Sequence, residues 1–287
     1  MAVRGDSPHR RSTAVVAAVA VAAAVAAAVT SSAAAADADT KWSYFGPRGP
    51  AFWGTLDPDW KVCETGRSQS PIDVMMTPPV GPLPVRELAS QNDHAMLMPT
   101  QVLNGVKYSC VAPGACGTAV WAGYTYDLIQ MHLHVSSEHT IDGTIFPAEL
   151  HLVHAAEDGN LLVVGVLLEV GAANMGLEKV LAATTASVPV LPGMEGGMNV
   201  TLSTADWESL VPGEGGWCQY GGSLTTPPCT EGVTWAVSST PRTASADQLR
   251  RVGVSLLSAG GSVVLTDRPV QPLNGRKLTC YSGHMAM

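Results

Sequence analysis

Two short runs hold the residues best suited to chemistry. In Gln130-Met131-His132-Leu133-His134 and in Glu149-Leu150-His151-Leu152-Val153, polar groups stand two residues apart among apolar ones. That spacing is the period of a strand, in which alternate side chains share a face. His132 and His134 can therefore reach one ion, and Glu149, His151 and Val153 share a face of a second strand. If the two strands are neighbours, three imidazoles meet. Three neutral imidazoles suit Zn2+, and a zinc centre with three protein ligands leaves a fourth position to water, as in hydrolytic and hydrating sites. A structural zinc site is more often closed by four ligands with cysteines among them, and the six cysteines form no Cys-x-x-Cys pair. A ligating imidazole gives its other N–H to an acceptor, and Gln130 and Glu149 stand two residues before a histidine each. The spacing alone also fits ordinary histidines and polar residues on a half-exposed strand, so both readings stand at this level.

The elements that would carry these runs are legible by the same periodicity. Apolar stretches of strand character cover residues 106–111, 125–134, 149–154, 161–170, 232–237 and 262–265, with turn pairs such as Pro113-Gly114 and Asp158-Gly159 between them. Residues 172–183 and 244–257 carry the best helical signal. Residues 41–68, rich in Trp, Gly and Pro, read as an irregular covering segment, and 78–84 and 189–197 as loops. The chain has 287 residues, ample for one domain with a sizeable core. The expectation is a mixed α/β, β-dominated single domain.

Residues 1–12 carry Arg4, Arg10 and Arg11, residues 13–30 are almost wholly Ala and Val, and small residues follow to Ala36. That order is the order of a secretory signal, expected over 1–36, with the catalytic domain at 37–287. A retained membrane anchor and a plastid-directed leader share the same pattern. Without the leader, the formal net charge of −8 falls to about −10, and no basic stripe remains for a nucleic-acid backbone or an anionic membrane. No stable membrane insertion of the mature chain is expected. Six cysteines in an exported chain fit an oxidising compartment, with 15 possible pairings. Asn199-Val200-Thr201 is a glycosylation sequon if export holds. Oligomeric state has no signature here.

With these runs stand Ser137-Glu138-His139-Thr140, Gly222-Ser223-Leu224-Thr225-Thr226-Pro227-Pro228-Cys229, Ser68-Gln69-Ser70-Pro71-Ile72-Asp73 and Arg268-Pro269-Val270-Gln271-Pro272-Leu273. In order and spacing they resemble the α-class carbonic anhydrases from Trp42 to Leu278, most closely the exported bacterial and algal members. The resemblance implies a large, mostly antiparallel twisted sheet with short peripheral helices. It also implies reversible hydration of carbon dioxide to bicarbonate and a proton by attack of zinc-bound hydroxide, with weak esterase activity as a side reaction. It matches His132, His134 and His151 to the zinc ligands and Gln130 and Glu149 to their orienting partners. Thr225 and Glu138 match the catalytic gatekeeping pair. Val153, Val163, Leu224, Val233, Trp235 and Thr226 match the pocket that admits carbon dioxide; on composition alone these apolar residues read as core. It further implies a Cys63–Cys229 disulfide. Cys110 with Cys116 and Cys218 with Cys280 are the remaining candidate pairs.

The sequence departs from the family at the proton relay. Where fast members carry histidine after Asn-Gly, this chain has Asn104-Gly105-Val106, and valine relays no proton. His94 is the alternative, although it lies far upstream of His132. The rival functional classes are a catalytically silent relative used as a binding module, disfavoured because no ligand is lost, and a generic zinc hydrolase, disfavoured because no His-Glu-x-x-His helix occurs.

Overall fold

The computed structural model describes residues 41–82, 87–89, 95–102, 105–112, 114–185, 199–258 and 265–284. The leader, His94, the loop 189–197 and most of the strand expected at 262–265 lie outside them. The strands are β1 (Asp73–Val74), β2 (Glu87–Ala89), β3 (Ala95–Val102), β4 (Gly105–Cys110), β5 (Thr118–Trp121), β6 (Tyr124–Val135), β7 (Thr140–Ile141), β8 (Ala148–Ala155), β9 (Leu161–Val170), β10 (Val200–Leu202), β11 (Glu214–Ser223), β12 (Glu231–Ser238), β13 (Arg242–Ala244) and β14 (Thr279–His284). The helices are α1 (Trp53–Leu56), α2 (Val62–Thr65), α3 (Met175–Thr185), α4 (Thr204–Leu210) and α5 (Ala246–Ser258).

Among the described residues, β10-β3-β4-β6-β8-β9-β12-β11-β14 form one continuous sheet, with β2, β5 and β13 attached to it. Within this sheet, pairing is antiparallel except where β12 and β13 meet β9; β1 and β7 form a separate parallel pair. The β-dominated, mostly antiparallel architecture expected from the sequence is the one observed. The covering segment is less irregular than its composition suggests, since α1 and α2 each complete a single helical turn within it.

Alternation divides the sheet's side chains between two cores. Leu150 and Leu152 of β8 and Leu162, Val164, Val166 and Leu168 of β9 pack on the face that takes Leu177 and Leu181 of α3, Trp207 of α4 and Val252 of α5. Val153, Val163, Val233, Trp235 and Tyr220 point to the other face. Helices thus cover one side and leave the second free to build a site. A third apolar cluster, Tyr44, Trp53, Cys63 and Cys229, anchors the N-terminal segment. Disulfides join Cys63 to Cys229, Cys110 to Cys116 and Cys218 to Cys280.

Candidate metal centre

Antiparallel pairing of β6 and β8 sets His132 directly opposite His151, and His134 opposite Glu149. Opposed residues project to one face, so the register alone assembles the three histidines. Nδ1 of His151 lies 3.3 Å from Nε2 of His132, and one nitrogen from each ring falls within 4.8 Å of the others.

Protonation follows from what each remaining nitrogen meets. Nδ1 of His134 is 2.5 Å from the Thr266 carbonyl oxygen, which only accepts, so that nitrogen carries the proton. Nδ1 of His132 donates to Gln130 Oε1 at 2.9 Å, and Nε2 of His151 donates to Glu149 Oε1 at 2.9 Å. Nε2 of His132, Nε2 of His134 and Nδ1 of His151 therefore present lone pairs to one point. Burial, joined at His132 by the neighbouring imidazoles, holds all three rings below the ordinary histidine range and keeps them neutral.

This donor set fits a zinc ion. Tetrahedral ligand atoms about 2.0–2.1 Å from zinc stand roughly 3.3 Å apart, the spacing of the His132 and His151 nitrogens. Nε2 of His134 is buried with no hydrogen-bond partner among the described residues. A buried lone pair left bare costs free energy unless something positive meets it.

Glu149 anchors the ligands to the next loop. Its Oε2 accepts from the backbone N–H groups of Glu138 and His139, at 2.9 and 2.8 Å. Oε1 meets Nδ1 of His139 at 2.7 Å as well as His151. Burial opposes its charge, but His139 and His151 outweigh it and hold the carboxyl well below the usual range. The Tyr220 hydroxyl bridges His139 Nε2 at 2.7 Å and Ser70 Oγ at 2.8 Å. The atoms of His139, Glu149 and His151 that face one another are thus taken up by mutual hydrogen bonds. Gly165 makes room for it, because a Cβ there would stand 2.8 Å from Glu149 Oε1.

Glu138 and Thr225 are both buried. Glu138 Oε1 accepts the Arg268 N–H at 3.0 Å. Its Oε2 lies 3.4 Å from His134 Nε2 and is buried with no hydrogen-bond partner among the described residues. Burial pushes Glu138 up to about 7, against the pull of His151, the Arg268 N–H and the Thr225 hydroxyl. Val153, Val163, Val233 and Trp235 form one buried cluster with Leu224 packed against it, and the Trp235 ring lies 4.9 Å from that of His151. Thr226 is half-buried in the turn before Cys229, whose N–H donates to its carbonyl at 2.8 Å.

Sequence reasoning missed several groups at and around the site, His139 and Tyr220 among them. The Thr266 carbonyl and Arg268 N–H are backbone groups, to which residue type gives no clue. Lys107 could have been found from the phase of β4: it stands opposite His132, whereas Val106, the expected relay position, packs against the helix-covered core.

A family model described as eukaryotic-type carbonic anhydrase matches residues 48–282. The carbonic anhydrase of Nostoc sp. is 34% identical over 240 residues, 82% of this chain and 84% of its own length. Alpha carbonic anhydrase 7 of Arabidopsis thaliana is 34% identical over 242 residues, 82% of each chain. Among solved structures, the α-carbonic anhydrase of Thermovibrio ammonificans in complex with sulfanilamide superposes with a TM-score of 0.69 at 35% identity, covering 83% of this chain and 98% of that one.

Proposed function

Because this chain belongs to the eukaryotic-type carbonic anhydrase family, we propose that it uses zinc held by His132, His134 and His151 to hydrate carbon dioxide reversibly to bicarbonate and a proton. The observation that carries the reading is the convergence of three ring nitrogens, those of buried His134 and His151 and half-buried His132, whose partner nitrogens each face a fixed acceptor. When bound, zinc supplies a Lewis acid that makes water acidic enough to react as a nucleophile near neutral pH.

The chain's own residues then direct the attack. A hydroxyl has one proton to donate and two lone pairs. Where an ionised Glu138 takes the Thr225 proton, Thr225 can only accept from the nucleophilic oxygen, which would leave a lone pair of that oxygen facing the substrate carbon. Val153, Val163, Leu224, Val233 and Trp235 offer an uncharged wall to an uncharged molecule. Thr226 closes the pocket beside them. The same nucleophile would attack an activated ester slowly.

Three disulfides support an oxidising compartment. Joined to the reading of 1–36 as an export signal, this makes the extracellular space or periplasm the working location, with a plastid lumen or a membrane-anchored form as the alternatives. No helix among the described residues is long and apolar enough to cross a membrane. Zinc content and stopped-flow carbon dioxide hydration, on wild type and His132→Ala, test the reading. Stoichiometric zinc and measurable carbon dioxide hydration are expected for wild type, with both lost in the variant. A wild type that holds no zinc and leaves carbon dioxide unhydrated would sink it.

A further inference from the structure

One charged residue on the histidine face has no part in the chemistry above. β4 runs antiparallel to β6 with Lys107 opposite His132 and Ser109 opposite Gln130, so Lys107 and Ser109 share the imidazole side. Tyr108 is buried on the other side of the strand, in the same core that Val106 meets. Lys107 is half-buried. Among the described residues it makes no ion pair. Its charge reaches His132, where it disfavours the imidazolium.

A partly desolvated ammonium without a counter-ion is costly unless an anion visits it. The proposed reaction turns an uncharged molecule into an anion beside this residue. We propose that Lys107 is a positioning residue for small monoanions, holding bicarbonate next to His132 as the product of hydration and the substrate of the reverse reaction. The inference rests on the function proposed above, because only that reaction brings bicarbonate to this face. Ser109, one pleat along, offers a hydroxyl to the same anion.

The charge accounts for selectivity as well as affinity. Carbon dioxide gains nothing from an ammonium, whereas any monoanion of similar size does, so Lys107 trades easier capture of bicarbonate for greater sensitivity to anionic inhibitors. An interaction between charges several ångströms apart at a half-exposed site is worth roughly a 3- to 10-fold change in affinity at low salt.

The test substitutes cobalt(II) for zinc and follows its visible spectrum while bicarbonate and thiocyanate are titrated into wild type, Lys107→Gln and Lys107→Arg. Lys107→Gln should weaken both anions roughly 3- to 10-fold at 10 mM ionic strength and by less than about 2-fold at 1 M, where screening acts within about 3 Å. Lys107→Arg should stay within about 2-fold of wild type, since it keeps the charge. Equal affinities of wild type and Lys107→Gln at low salt would overturn the inference. So would a loss that ignores ionic strength, because that is a packing effect. A wild type that binds no cobalt or zinc would overturn the proposed function instead, and the two failures are separate readouts.

Discussion

Glu149 shows how much of this site hangs on one side chain. Two oxygens take four donors, from Glu138 N–H, His139 N–H, His139 Nδ1 and His151 Nε2. Glu149→Gln keeps the shape but replaces one acceptor oxygen with an NH2 group that faces donors. Metal affinity should fall about 10- to 100-fold, as for other partners of ligating histidines, and stability by about 3–5 kcal/mol, as when one member of a buried pair is removed. Metal-competition titration and urea unfolding measure the two losses, and a variant that keeps wild-type affinity would contradict the role. Gly165→Ala probes the same carboxylate from outside, since its methyl group would press on Oε1; about 1–3 kcal/mol of destabilisation is expected. The histidines themselves were legible because strand alternation is written in side chains. The Thr266 contact to His134 and the Arg268 contact to Glu138 were not, because both come from backbone groups, 132 and 130 residues away.

The elements divide along the same line. β6, β8 and β9 were readable from apolar periodicity, whereas β11 was hidden by Gly215, Gly216, Gly221 and Gly222, residues that signal turns. Gly222 answers a packing need, since a side chain there would collide with Ser70 Oγ and with the rings of Trp235 and Tyr220. β11 ends at Ser223, and the chain turns through Thr225 to Cys229, where a disulfide ties it to α2. Cys63 and Cys229 lie 166 residues apart, Cys110 and Cys116 only 6. Loop-closure entropy ranks the two at about 5 and about 2 kcal/mol as upper figures. Paired Cys→Ser variants should therefore differ in unfolding free energy, with the Cys63/Cys229 variant the less stable and also the less active, because its loss frees the Thr225 turn. A larger loss for the Cys110/Cys116 variant would reverse the ranking.

At the scale of the molecule, a sheet buried on both faces encloses ionisable groups that must fold neutral. Burial lowers His154 to about 4, although hydrogen bonds from its ring to the backbone of Leu162 and Leu152 pull the other way. An unfolded histidine titrates near 6.5. The folded value is the lower one, so between these limits the unfolded chain binds the extra proton and stability falls as pH falls. His154 alone contributes up to about 3 kcal/mol, at about 1.4 kcal/mol per unit, present in full above pH 6.5 and lost progressively toward 4. His132, His134 and His151 are depressed as well and add in the same direction. Glu149 adds later, since an unfolded glutamate begins to protonate only near 4.3. The metal-free protein should then unfold at progressively lower urea as pH drops from 7.5 to 5. Zinc should delay that loss, because protons and metal compete for the same three nitrogens. Urea midpoints that stay level from pH 7.5 to 5 without metal would mean that these rings take up protons in the folded state. Net charge and periodicity could not foretell such a profile, for it depends on which histidines the sheet encloses.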